Sequence, residues 1–520
     1  MYLSYDCDKQ DAGMRYGSHP SYALQRTGLG EAARFPSVVY KRRTDVDGNG
    51  YGGGMVKRNV ESRTVATVGR GECKTAGGKL VAVSVRLDGR AITEAHVDGD
   101  FLIDRVAHAD GVSEDGITSA PKFDDTAKFD DTAKFDNTAK FNDTAGPGPD
   151  TADTALLADI ERAIVSNGAS IDDLRALPAA IEAVIAAHPN ARLVGTTAEA
   201  IVTATGRAIA DASAMREPVV MDSVAASSSA TTGVVENVAP APTTPEDFAG
   251  RWSTLASRVA IVIDAEAYAP AMQMALDEVI ARRVAAGRLP PTLRFWRWGS
   301  PAVVIGAYQS VRNEVDMTAA AEHGFIVVRR MTGGGAMFVR PADTITYSLY
   351  VPAAFTDGLP AVESYRLCDM WAFDALHAIG IPAVPQPLND IATTDGGKIG
   401  GAAQRRFPAG RGADGSRGPG CILHHVTMAY DIDAGLMTRV LRISKEKLVD
   451  KAVSSARKRV TPLRTLTSLS RERIVESMRA FALADIPAAR AADLPADVID
   501  EARSLAAGKY ATTGWTYRIP

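Results

Sequence analysis

The chain has 520 residues, too many for one ordinary core, and its 46% hydrophobic and 23% charged residues are those of a soluble multidomain protein. A formal net charge of -4 and a pI near 6.1 leave no polycationic footprint, which argues against nucleic acid as the main partner. Cys7, Cys73, Cys368 and Cys421 form no CxxC pair, no apolar run reaches 18 residues and the first residues show no signal sequence, so no zinc knuckle, disulfide scaffold or membrane span is expected and the protein reads as cytoplasmic.

Residues 1–70 carry no sustained periodicity, and the Gly- and Asp-rich stretch 45–54 predicts a flexible arm. From Lys79 the pattern changes: Val81, Val83, Val85 and Leu87 share one face, Asp88-Gly89 turns the chain, and Ile92 and Val97 continue it, which predicts a hairpin. Helical spacing follows in Leu157, Ile160 and Ile164, in Leu177, Ile181 and Val184, and in Ile201, Val202 and Ile209. These elements define a small α+β domain over 71–212. It is interrupted at about 112–152 by a segment holding four hexapeptides, KFDDTA twice, KFDNTA and KFNDTA, between Lys122 and Ala145. Four copies with one aromatic each cannot close a β-helical core, so the segment reads as a disordered insertion. The Ala-, Ser- and Thr-rich stretch 213–248, stiffened by Pro240, Pro242 and Pro245, reads as a linker.

Over 249–520 the signals become dense. Met272, Leu276, Val279 and Ile280 mark a helix stopping at Gly287. Residues 293–298, 302–305, 325–328 and 345–350 read as strands, and Cys368, Trp371, Ala375 and Ile379 repeat at helical spacing before Gly380. The mixture predicts an α+β catalytic domain.

Three segments carry chemistry. The run RRMTGGGAMF at 329–338 follows an apolar strand; its glycines let backbone N–H groups approach a ligand, and Arg329 and Arg330 supply fixed charge for a phosphate or carboxylate. Taken alone it is equally a glycine turn beside two surface arginines. Lys398 sits between glycine pairs at 396–401, after Asn389-Asp390, free to approach phosphate oxygens; with Ala392 and Ile399 at the key positions it is not a Walker loop. The run CILHHVTMAYDID at 421–433 reads as a strand whose His424 and His425 face opposite sides, so one of them faces the site and no metal cage is implied.

In this order, Arg-Arg-x-x-Gly-Gly-Gly-Ala-x-Phe, Asn-Asp, Lys-Ile-x-Gly-x-Ala-Gln and Leu-His-His-x-Thr together resemble the lipoate-protein ligase A family, related to biotin ligases and octanoyltransferases. The resemblance spans about 255–485, with Trp298, Val303 to Gly306 and Gln309 upstream and Lys451, Ser454, Arg457, Arg459, Val460 and Leu463 downstream. It implies a class II synthetase-like mixed sheet, the biotin/lipoate ligase fold. It also implies ATP-dependent activation of lipoate or octanoate to an acyl-AMP, with Mg2+ on the triphosphate. Transfer would be to a lysine of lipoyl domains of 2-oxoacid dehydrogenases or of the glycine-cleavage H protein. Carried over residue by residue, ATP and acyl-adenylate contacts fall on Arg330, Gly333, Gly334, Gly335, Ala336, Met337 and Phe338, and the catalytic role falls on Lys398. Arg329, Asn389, Asp390 and His424 are supporting candidates, Asp390 either orienting Lys398 or helping deprotonate the incoming amine. The family's His-Asp after the glycines is Val339-Arg340 here.

The stretch KTAGGKLV at 74–81 resembles the start of the ligase accessory domain. That domain follows the catalytic domain in the bacterial enzymes and precedes it here, and it is expected to close over the adenylate site. Two alternatives stand beside the ligase: an octanoyltransferase working through a Cys421 thioester without ATP, and a noncatalytic lipoyl-binding protein.

Overall fold

The computed structural model describes residues 66–75, 77–105, 151–167, 174–214, 245–255, 259–412, 414–442 and 460–519. The chain divides into units Met1–Ser62 and Arg63–Pro520, and all described residues belong to the second. The arm up to residue 65, the hexapeptides, most of the linker, and Lys451, Ser454, Arg457 and Arg459 lie outside the described residues.

The N-terminal part is built on an antiparallel sheet of β1 (Thr67–Lys74), β2 (Leu80–Asp88) and β3 (Ala91–Gly99). Val81, Val83, Val85 and Leu87 are buried and Gly89 makes the turn with φ 63°, as the alternation predicts. The chain then forms β4 (Leu102–Asp104), α1 (Thr151–Asn167), α2 (Leu177–Ala187), β5 (Arg192–Val194), which pairs with β4, and α3 (Ala198–Ala214). Strand β1 begins inside the stretch expected to be an arm. Its sequence hides it, because Gly69 and Gly71 replace the branched residues of an ordinary strand. They let α3 lie directly on the backbone: a Cβ on Gly69 would stand 2.1 Å from the Ala208 carbonyl oxygen, and one on Gly71 2.0 Å from that of Ala204.

The second part opens with α4 (Pro245–Thr254), which begins in the last residues of the expected linker; Phe248 and Trp252 bury and the Trp252 indole donates to the Leu367 carbonyl at 3.1 Å. Then come β6 (Ala260–Ile263), α5 (Pro270–Ala285), β7 (Thr292–Phe295), β8 (Ala302–Ile305), the short α6 (Val311–Glu314) and α7 (Met317–Glu322), β9 (Ile326–Arg329), β10 (Met337–Val339) and β11 (Thr344–Val351). After α8 (Ala361–Ala378) follow β12 (Ala383–Gln386), β13 (Asp390–Thr393), β14 (Lys398–Phe407), β15 (Cys421–Ala429), α9 (Ala434–Val440), α10 (Arg471–Asp485), β16 (Arg490–Ala491), α11 (Ala496–Leu505) and α12 (Thr513–Thr516).

Eight strands form one mixed sheet in the order β12-β13-β14-β15-β11-β7-β6-β16, antiparallel except where β6 runs parallel to β7 and β16. Helices α8 and α10 cover one face through Trp371, Leu376, Ile474 and Met478, against Ile422 and Val426. Helix α5 covers the other through Leu276, Val279 and Ile280, against Leu423 and Tyr350. A smaller sheet, β10-β8-β9, carries the glycine loop between β9 and β10. Among the described residues no helix is long and apolar enough to cross a membrane.

Candidate active site

The site grows from the hairpin β13–β14. Gly396, at φ 87°, makes its turn, and the Gly397 N–H donates to Thr393 Oγ1 at 2.9 Å. The pairing shifts register there: Ile391 faces Gly400 while Ala392 faces Lys398, a bulge that re-aims the first residue of β14. The Lys398 side chain lies over Gly401, whose Cβ would sit 3.5 Å from Nζ, and donates to Asp390 Oδ1 at 2.8 Å. Of the two roles open to Asp390, orienting Lys398 is the one this geometry displays.

Lys398 lines a cleft of about 300 Å³ shared with Gly334, Gly335, Ala336, Met337 and Phe338 of the glycine loop and with Asn389 and Asp390. The three glycines have different duties. Gly334 needs its φ of 92°, and a Cβ on Gly335 would rest in ordinary contact with the Asp100 carboxylate, 3.6 Å away. Gly333 does not line the cleft: a Cβ there would lie 2.6 Å from the Phe101 carbonyl oxygen, so this glycine admits β4 of the N-terminal domain. The Gly334 N–H donates to the same oxygen at 3.3 Å.

The arginine pair also splits. Arg330 lines the cleft but is only 3% exposed, and its guanidinium is engaged with the loop itself. Nη2 donates to the carbonyls of Gly333 at 2.6 Å and Gly335 at 2.9 Å, Nη1 to that of Val304 at 3.1 Å, and Nε to Thr332 Oγ1 at 2.9 Å. Burial brings it down to about 10 against the opposing pull of Asp100, so it stays charged at neutral pH and places its field under the loop. Arg329 points elsewhere and does not support the site directly. It donates to the carbonyls of Gly306, Gln309 and Thr516, joining small sheet and C-terminal helix. Neighbours at a strand end face opposite ways, so only one of the pair reaches the cleft.

The same parity corrects the histidines. His424, expected to support the site, is buried on the α8 face, with Nε2 2.6 Å from Asp369 Oδ1 and Nδ1 3.0 Å from Gln404 Nε2. His425 lines the cleft instead. Its Nδ1 lies 2.7 Å from Asp277 Oδ2 and its Nε2 2.8 Å from Thr332 Oγ1. The Asp277 carboxylate can only accept, so a neutral imidazole keeps its proton on Nδ1 facing Asp277, and Nε2 accepts from the Thr332 hydroxyl, whose oxygen also takes the Arg330 Nε–H. Burial, reinforced by Arg330 and His424, holds this imidazole below its ordinary range against the pull of Asp277.

Where the family has His-Asp, Val339 is fully buried and Arg340 reaches the cleft, bound to Asp343 at 2.8 Å. Cys421 opens β15 with no exposure, its thiol pushed well up by burial, and it does not line the cleft. Among the lining residues that sequence reasoning missed, two come from the N-terminal part of the chain. Lys79 is bonded to Asn389 Oδ1 at 2.6 Å and Asp100 accepts from Gln309 at 2.8 Å. A buried cluster fastens the domains beside them: Asp153 on α1 binds Arg405 at 3.1 Å, Arg105 at 3.0 Å and the Tyr308 hydroxyl at 2.9 Å. Arg406 binds Asp104 at 3.0 Å.

The small sheet supplies the glycine loop and the mixed sheet the bulge-mounted lysine, and the two meet on one cleft, an arrangement suited to binding a small anionic substrate. Residues 269–482 match the lipoyl protein ligase A/B catalytic domain. An octanoyltransferase LipM of Symbiobacterium thermophilum is 31% identical over 271 residues, covering 47% of this chain and 93% of that protein. One from Exiguobacterium is 34% identical over 192 residues, 32% of this chain and 64% of that protein. Lipoate-protein ligase A subunit 1 of Thermoplasma acidophilum is 28% identical over 250 residues, 47% of this chain and 90% of that protein. A solved structure of the bi-partite lipoate protein ligase from that archaeon's lipoylation system has 26% identity and a TM-score of 0.42, covering 50% of this chain and 97% of that chain. The chain belongs to the lipoyl protein ligase A/B family and is an enzyme of lipoate attachment.

Proposed function

We propose that the protein is an ATP-dependent ligase that activates lipoate or octanoate as the acyl-AMP and transfers it to a lysine of a lipoyl-domain or H-protein acceptor. The observation that carries this reading is Lys398, held by Asp390 in the same cleft as the glycine loop. Among the described residues no cysteine lines that cleft. In the first step the substrate carboxylate attacks the α-phosphate and pyrophosphate leaves; in the second the acceptor amine attacks the acyl carbon and AMP leaves. Both steps load negative charge onto phosphate oxygens, and an ammonium held in place beside the glycine loop stabilises it as it develops. Past Gly334, whose N–H is taken by Phe101, backbone amides at the cleft end of the glycine loop would supply further donors.

Basic and acidic side chains balance in the cleft: Lys79, Arg330, Arg340, Lys398 and Arg442 against Asp100, Glu314, Asp343, Asp390 and Asp431. A free tetraanion fits this lining worse than one already neutralised by Mg2+. Among the described residues no group of three His, Cys, Asp or Glu side chains is arranged to hold a metal.

A second reading, octanoyl transfer from a carrier protein, is favoured by the relatives named octanoyltransferase. In that route Cys421 would have to serve as nucleophile from a fully buried strand position with a raised pKa. The test incubates purified protein with ATP, Mg2+, lipoate or octanoate and a lipoyl domain, following pyrophosphate release and acceptor mass. The ligase requires ATP-dependent mass gain, lost in Lys398→Ala and kept in Cys421→Ser. Transfer from octanoyl carrier protein without ATP, abolished by Cys421→Ser, establishes the transferase instead, and no transfer by either route defeats both.

A further inference from the structure

We propose that Lys79, carried by the N-terminal part of the chain, is a second phosphate-contacting lysine of the adenylation site. The inference rests on the ATP-dependent reading above. Its geometry is a built passage rather than a surface contact. Lys79 leaves the turn before β2, where its N–H donates to the Gly195 carbonyl at 2.6 Å. Its stem crosses Gly195, at φ 87°, where a Cβ would stand 2.5 Å from Lys79 Cγ and 3.3 Å from Leu388. Only a glycine leaves that path open.

At the far end Nζ reaches Asn389 Oδ1 at 2.6 Å, while Lys398 Nζ reaches the next residue, Asp390, at 2.8 Å. Two ammonium groups from different domains thus converge on one dipeptide at the wall of one cleft. Bringing two like charges together in a half-buried cleft costs more without an anion between them. Asp390 and Asp100 offset part of that cost, while burial, Lys398 and Lys74 all act to discharge Lys79. A purely structural tie to Asn389 needs no charge; a neutral donor would serve. A nucleotide phosphate supplies the missing anion, with the lysines approaching it from two sides as point charges.

The experiment uses the full chain and lipoate-dependent exchange of labelled pyrophosphate into ATP, which reads acyl-AMP formation alone. Lys79→Met should lower exchange by about tenfold or more, mainly through a raised KM for ATP, and Lys79→Arg should restore most of it. Exchange in wild type with an unchanged KM in Lys79→Met overturns the inference and leaves the ATP reading standing. No exchange in wild type overturns both. Should Lys79→Met fail to fold, amine acylation of the native wild type, mapped by mass spectrometry, serves instead: ATP should slow modification of Lys79 severalfold, and unaltered modification overturns the inference.

Discussion

Asp277 on α5 and His425 on β15 face each other at 2.7 Å through Oδ2 and Nδ1, and the contact reaches the glycine loop by way of Thr332 and Arg330. The same carboxylate accepts from Ser348 at 2.9 Å and from Tyr350, so helix, sheet and loop share one buried anion. His425 acts through Thr332 and Arg330 and is a positioning residue. Asp277→Asn keeps the shape but turns a donor toward His425 or its hydroxyl partners. It is expected to lower kcat by about tenfold with KM for ATP nearly unchanged, measured by steady-state kinetics, since about 1.4 kcal/mol corresponds to one lost charged hydrogen bond. Wild-type kcat in this variant would remove the relay from the account.

The pH dependence of stability has a definite sign at this histidine. Its folded pKa lies below the ordinary value of about 6.5, so over the interval between the two the folded chain binds fewer protons than the unfolded one. Its contribution is present above about 6.5 and lost as pH falls through the depressed folded value. Around it stand Asp277, Arg330, His424, Thr332 and the Trp296 ring. The unfolding midpoint should therefore fall more steeply between about pH 7 and pH 5 in wild type than in His425→Gln. Parallel curves would locate the acid sensitivity elsewhere.

Asp153 is 4% exposed and answers two arginines and a tyrosine. Asp153→Ala leaves Arg405 without that buried carboxylate, a change of the kind that costs about 3–5 kcal/mol. Chemical denaturation should show either that loss or a separated transition for the N-terminal domain. An unchanged midpoint would mean the domains are not fastened here.

At Gly333 the added methyl of Gly333→Ala meets a carbonyl oxygen at 2.6 Å, a backbone atom that cannot swing aside. Overpacking of this kind costs about 1–3 kcal/mol, and here it would fall on the seam between glycine loop and β4. Gly333→Ala should lower the melting temperature and the rate of acyl-AMP formation together. A variant that keeps its melting temperature but loses activity would instead place Gly333 against substrate.

Much of the frame was legible in the sequence because burial writes itself as periodicity. Val81 to Leu87 alternate and lie inward, and the α5 and α8 patterns become helices over opposite faces of one sheet. What failed was parity. Period-2 geometry says that His424 and His425, or Arg329 and Arg330, divide between two sides, but not which side holds the cleft. Strand β1 was hidden because its glycines serve the approach of α3 rather than a turn. Lys79 stood in the KTAGGKLV stretch without a role of its own; its place at the cleft depends on Asn389, far along the chain.

The bonds from Lys79 to Asn389 and from Arg406 to Asp104 join residues 310 and 302 positions apart. Contacts that distant raise the loop-closure cost of folding and form late. During synthesis β4 leaves the ribosome long before the glycine loop that covers it, and until then Phe101 and Leu102, which end fully or almost fully buried, present an apolar edge to solvent. The arrangement that brings Lys79 to a cleft built more than 300 residues later therefore also leaves Phe101 without its stacking partner Tyr308, and Leu102 without the glycine loop, until those segments have been made.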